Sequence, residues 1–159
     1  MRTIRIFSII ALAACSLVAA DLSSKKGLTL DVAKQIAAAA EAEAKKNNWN
    51  VVIAILDDGG HLVYLQRMDE TQIGSIDVAV AKGASAVKFK RATKVFEDAL
   101  VGGRQAILKL PGALPVEGGL PIVWENRIIG GIGVSGVQSN QDGIIGKAGV
   151  DALAKILGR

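Results

Sequence analysis

"RIIGGIGVSG", residues 127–136, is the stretch on which the fold turns. Its Gly131-x-Gly133-x-x-Gly136 spacing is that of a phosphate-cradling turn in a parallel, dinucleotide-binding sheet. The same residues also read as a strand whose glycines let a neighbour approach closely. A parallel sheet needs a second strand after the turn, with an acid about twenty residues on. Only 23 residues follow Gly136, and "DGIIGKAGVDALAKILGR" from Asp142 claims most of them as a helix. Upstream, "LPIVW" and the dipeptide "EN" lead straight into the glycine stretch, which makes it the return strand of a hairpin. Close packing is therefore the reading, and no nucleotide site follows.

The pattern recurs earlier. "VVIAIL", residues 51–56, is a buried strand, "DDGG" (57–60) a turn, and "HLVYLQR" (61–67) the returning strand. Simple alternation places His61, Val63, Leu65 and Arg67 on one face, with Leu62, Tyr64 and Gln66 on the other. Before this hairpin, "LTLDVAKQIAAAAEAEAKKNNWN" carries an Ala-rich apolar face from a cap at Thr29 or Asp31 to about Asn47 and Asn48, the mark of an amphipathic helix. Ser75 caps a second helix in "IDVAVAKGASAVKFKRAT". There Ala79, Gly83 and Val87 are buried, and Lys82 keeps its ammonium in water by snorkelling. Residues 102–119 read as loop and short helix. Helix, hairpin, helix, irregular segment, hairpin and helix together predict an α/β chain of the α+β kind, its antiparallel sheet covered by helices.

Hydrophobic residues make up 50% of the chain but aromatics only 4%, so the core is built from small side chains and no nucleic-acid stacking platform is present. The N-terminus pairs Arg2 and Arg5 with an apolar run, Ile6–Ala14, and small residues at Val18–Ala20. This predicts a signal peptide over residues 1–20 and a single domain over 21–159. "LAAC", ending at Cys15, fits lipid anchoring as the alternative route. Either route takes the chain out of the cytoplasm, to a periplasmic or secreted location or to a lipid-anchored one. Loss of residues 1–20 lowers the formal charge from +4 to +2, because Arg2 and Arg5 leave with no acid. A chain so near neutrality has no electrostatic call for nucleic acid. After cleavage at Ala20 it also has no cysteine for a disulfide, a thiolate or a metal.

His61 is the single histidine, so any imidazole chemistry belongs to it. Arg67 is suited to gripping a carboxylate, with Asp69 two residues on. No G-x-S-x-G elbow and no His/Cys cluster is present, and no enzyme mechanism follows from spacing.

The ordered set "VVIAILDDGGHLVYLQRMD", "SIDVAVAKGASAVKFKRAT" and "GGLPIVWENRIIGGIGVSGVQSNQD", closed by an Ala/Gly helix, resembles the GlcG/HbpS family, found also as the C-terminal domain of PduO-type proteins. The likeness spans about residues 28–157. It rests on Asp57, Gly60 and His61, on Arg67 and Asp69, on Lys82, on Gly131, Gly133, Ser135 and Gly136, and on Asp142. Gly83 and the loosening Gly143 and Gly146 depart from the pattern. The resemblance implies a profilin-like, three-layer α/β/α fold with a central antiparallel sheet, a homo-oligomer, and haem as the bound cofactor. Such a site needs an axial ligand, for which this chain offers His61, Tyr64 and Met68, with His61 the first choice for the iron. It also needs cations for the propionates, for which Arg67, Lys82 and Lys88 are candidates. On simple alternation His61 and Arg67 share a face, and Tyr64 lies opposite His61. The expectation is an exported haem carrier, sensor or scavenger. The alternative is an enzyme or accessory protein of glycolate-like organic-acid metabolism, with Arg67 holding a small carboxylate and His61 or Asp69 moving a proton.

Overall fold

The structure, a computed structural model, describes residues 20–158. The expected signal segment before Ala20, with Cys15, lies outside the described residues. Helix α1, Leu30–Lys46, starts at Thr29, whose Oγ1 accepts from the Val32 N–H at 3.3 Å. Ala33, Ile36, Ala37, Ala40 and Ala44 are its buried face, the stripe read from the sequence. Strands β1 (Val52–Asp57) and β2 (Leu62–Arg67) form the first hairpin. Strands β3 (Gly119–Trp124) and β4 (Arg127–Ser135) form the second. Between β3 and β4, Glu125 and Asn126 have φ of 48° and 60°, as a tight two-residue turn of the primed kind requires. The sheet order is β2-β1-β4-β3, antiparallel throughout.

Helix α2, Ser75–Phe89, covers one face of the sheet, where Ala79 packs on Val52, Ala54 and Leu56. Helix α1 covers the other face together with α4 (Ser139–Asp151) and α5 (Leu153–Ile156). This is the expected three-layer α/β/α arrangement. The glycine stretch is explained by the α2 layer. A side chain at Gly133 would begin 1.9 Å from the Ala79 carbonyl oxygen, and one at Gly131 2.6 Å from Val87. The glycines let a helix backbone lie directly on a strand.

Several local expectations are corrected. Helix α2 is preceded by Gly74 at its N-cap, and Ser75 is its first residue with a buried hydroxyl. It stops at Phe89, where Lys90 turns left-handed at φ 55°. A separate helix, α3 (Lys94–Val101), follows, of which only Phe96 is buried; at eight residues it is a short amphipathic helix that the sequence reading passed over. The short helix foreseen in the irregular segment is a 3₁₀ turn at Gln105–Lys109. Helix α4 begins three residues ahead of Asp142, behind a capping box of Gln138 and Gln141.

The most consequential correction is in β2. Ile55 pairs with Tyr64 but Leu56 pairs with Leu62, so Val63 is an extra residue and the strand bulges. Val63 and Tyr64 both pack into the α1-side core, as two bulge residues set against one partner do. The alternation flips across the bulge. Asp57 donates its N–H to the His61 carbonyl at 2.9 Å, so His61 falls on the α1 face with Tyr64. Arg67 pairs with Val52, on the α2 face. His61 and Arg67 are thus on opposite faces, about 20 Å apart along the strand.

Candidate functional site

Both hairpin turns lie at one end of the sheet, since Asp57 pairs with Gly130 near the start of β4. The first turn is built by Asp57. Its Oδ1 accepts the N–H of Gly59 at 2.9 Å and of His61 at 2.8 Å, and Gly60 takes the φ of +82° that the tight loop demands. Those two amides, the His61 bond foremost, hold the Asp57 carboxyl below its ordinary value. Of the two aspartates in the turn, Asp57 thus fixes the backbone that carries the imidazole, while Asp58 pairs with Lys25. His61 itself is exposed, and among the described residues its ring makes no hydrogen bond.

Beside this turn lie two contiguous hollows. One, of about 410 Å³, has Asp58, Lys25 and Lys26, Trp124 and Arg127 in its walls. The other, of about 420 Å³, is floored by Leu28, Val32, Trp124, Ile129, Leu153 and Leu157. Lys26, Trp124 and Ile129 belong to both, so they form one groove with an apolar floor and a charged rim. It opens on the α1 side of the sheet, the face onto which the bulge turns His61, but His61 itself lines neither hollow and stands beside them at the first hairpin tip. From β2 to β3 is three strand spacings, about 14 Å. Space and lining of this kind suit a flat, largely apolar ligand with polar ends.

The other candidates fall elsewhere. Tyr64 and Met68 pack against the core, and the Tyr64 hydroxyl donates to Gln66 Oε1 at 3.2 Å. Arg67 lines a separate hollow of about 430 Å³ with Glu41, Asp69 and Glu70 in its wall. Lys45, paired to Glu41 at 2.8 Å, lies in the same wall, and the carboxylates of Asp69 and Glu70 there leave little net positive charge for a carboxylate ligand. Lys82, expected to snorkel, is only 1% exposed. Its Nζ donates to Asp142 Oδ2 at 2.7 Å and to the Val134 carbonyl at 3.0 Å. Burial pushes the Asp142 carboxyl up from its ordinary value, with Lys82 opposing. Lys82 therefore faces the core and reaches neither His61 nor the groove. Lys88 passes beneath Gly60, on the side of the turn facing α2. No cluster of three or more His, Cys, Asp or Glu able to hold a metal occurs among the described residues.

Sequence reasoning missed Leu28, Trp124, Leu153 and Leu157 as groove residues. They come from three parts of the chain, and no local pattern links them.

Comparison with known proteins identifies the family. Residues 28–151 match the family described as "Haem degrading protein HbpS-like", and the chain belongs to that family. Protein GlcG of Escherichia coli K12 is 40% identical over 114 residues, 72% of this chain and 85% of GlcG. The crystal structure of a double mutant of Streptomyces reticuli HbpS superposes with a TM-score of 0.76 at 30% identity, covering 88% of this chain and 98% of that one. A structure described as a PduOC:heme complex gives 0.73 at 27% identity, covering 80% and 95%.

Proposed function

We propose that the chain binds haem in the hairpin-tip groove, with His61 as the imidazole ligand. The observation that carries this reading is the groove itself, which offers an apolar floor of Leu28, Val32, Ile129, Leu153 and Leu157, an indole at Trp124, and cations at the rim. An axial ligand, an apolar slot and cations for carboxylates are what a haem site needs, and all three occur at this end of the sheet. The described haem complex of a structural neighbour supports the same ligand class. His61 holds the iron side of the site and the leucines exclude water from the macrocycle, while Asp57 fixes the turn that presents His61. Haem, when bound, supplies the redox-active iron. Arg67 and Lys82 take no part in this site. Export after cleavage at Ala20, a carrier, sensor or scavenger role, and self-association belong to the same reading. So shallow a groove gains cover if a second subunit closes over it.

Haemin titration of the purified protein, followed by Soret absorption, tests the reading. Saturable binding is expected, weakened roughly tenfold or more by His61→Ala. Weak, non-saturating adsorption by the wild type contradicts haem binding. Saturable binding that His61→Ala leaves unchanged moves the ligand to another residue.

A further inference from the structure

We propose that Lys25 and Lys26 form a strap that selects dicarboxylate ligands for this groove, exchanging the strap's own ion pairs for bonds to the ligand's two acids. The inference rests on the groove as the ligand site. Residues 21–29 form neither helix nor strand. They are anchored through Leu28, whose Cδ1 lies 2.3 Å from where a side chain at Gly130 would begin. Just before that anchor, two neighbouring residues of one hollow's lining reach different hairpin turns. Lys25 Nζ reaches Asp58 Oδ2 in the first hairpin turn at 2.6 Å. Lys26 Nζ reaches Glu125 Oε2 in the second at 2.7 Å. The two ammonium groups therefore engage both hairpin tips, one on each.

The pairs are built to be exchanged. The lysine side chains are 71% and 64% exposed, and their partners Asp58 and Glu125 are 26% and 46% exposed. Ion pairs open to water on the lysine side contribute little, so an incoming carboxylate can take the ammonium groups from Asp58 and Glu125. Gly27 lies in open space, with no atom within 4 Å of where its side chain would start, and glycine leaves the backbone there its widest choice of conformations. Arg127 supplies a third cation in the same hollow. A ligand that buries an apolar body over Leu28 and Trp124 must leave its charged ends at the rim. Two carboxylates there meet two ammonium groups and gain charge-assisted hydrogen bonds. A neutral ligand leaves both existing pairs in place and gains nothing from the strap.

Haemin and its dimethyl ester have the same macrocycle and differ in the two acids, so they are the probes. Each is titrated by Soret absorption into the wild type and into the double variant Lys25→Ala/Lys26→Ala, in the same dilute detergent. The wild type is expected to prefer haemin over the ester roughly tenfold or more. The double variant is expected to lose most of that preference, with Arg127 keeping the small remainder and ester affinity unchanged. Circular dichroism of the variant, whose changes are exposed, confirms that it is folded. If the double variant keeps the haemin-over-ester preference, the strap is overturned while haem binding stands. If neither probe saturates on the wild type, the groove reading falls and the strap with it.

Discussion

Two lysines of this molecule reach an aspartate at almost the same distance and do different things. Lys82 meets Asp142 at 2.7 Å with both side chains 2% exposed, whereas Lys25 meets Asp58 at 2.6 Å with its own side chain 71% exposed. In the core, water cannot replace a lost partner, so the pair binds α2 to the start of α4 and neither member can leave alone. At the hairpin tips water is always at hand, and the pair is held loosely enough to be traded for a ligand. Burial, not bond length, separates scaffold from site.

That contrast is most sharply broken by Lys82→Met, which strands the Asp142 carboxylate in the core. A loss of about 3–5 kcal/mol is expected in denaturant unfolding. The double variant Lys82→Met/Asp142→Leu should recover most of it. A single variant as stable as the wild type would show that the pair is not a structural tie.

Next in size is Gly133→Ala, whose methyl would strike the Ala79 carbonyl and force α2 off the sheet. A cost of about 2 kcal/mol or more is expected by the same unfolding measurement. At the tip, Asp57→Ala removes the acceptor for two backbone amides and should cost about 1–2 kcal/mol. The Asp57 carboxyl is held below its ordinary 3.8, so its stabilisation is present above the unfolded pKa and lost as pH falls through the lowered folded value. Unfolding midpoints measured down the acid limb should accordingly fall less steeply for Asp57→Asn than for the wild type. Smallest of all, Lys25→Ala should leave the thermal midpoint unmoved. A clear drop would mean that the strap is part of the scaffold and not an exchangeable element.

The sequence was most informative where one face of an element is buried and periodic. The Ala stripe of α1, the buried run Val51–Leu56 and the Glu125–Asn126 turn were all legible, and with them the antiparallel sheet. The glycines of β4 were legible as close packing because too little chain follows for a parallel sheet. Lys82 was misread because helical spacing puts it on the buried side, while its charge argued for water; its partner lies sixty residues away. Likewise Asp142, which the sequence places at the opening of the last helix, sits in its first turn with its carboxylate turned to the core. The extra residue in β2 left no mark in a strand of mixed polarity, and it reversed which residues share a face with His61. The groove was illegible for a plainer reason. Its floor is gathered from Leu28, Trp124 and Leu153, and only the folded sheet brings them together.

Crystallising the protein with haemin and locating the iron by its anomalous scattering tests the central claim most directly. The account predicts an iron peak within bonding distance of the His61 imidazole, with the macrocycle lying over Trp124 and Leu28. An iron peak at Tyr64 or Met68, or beside Arg67 on the opposite face, would contradict it.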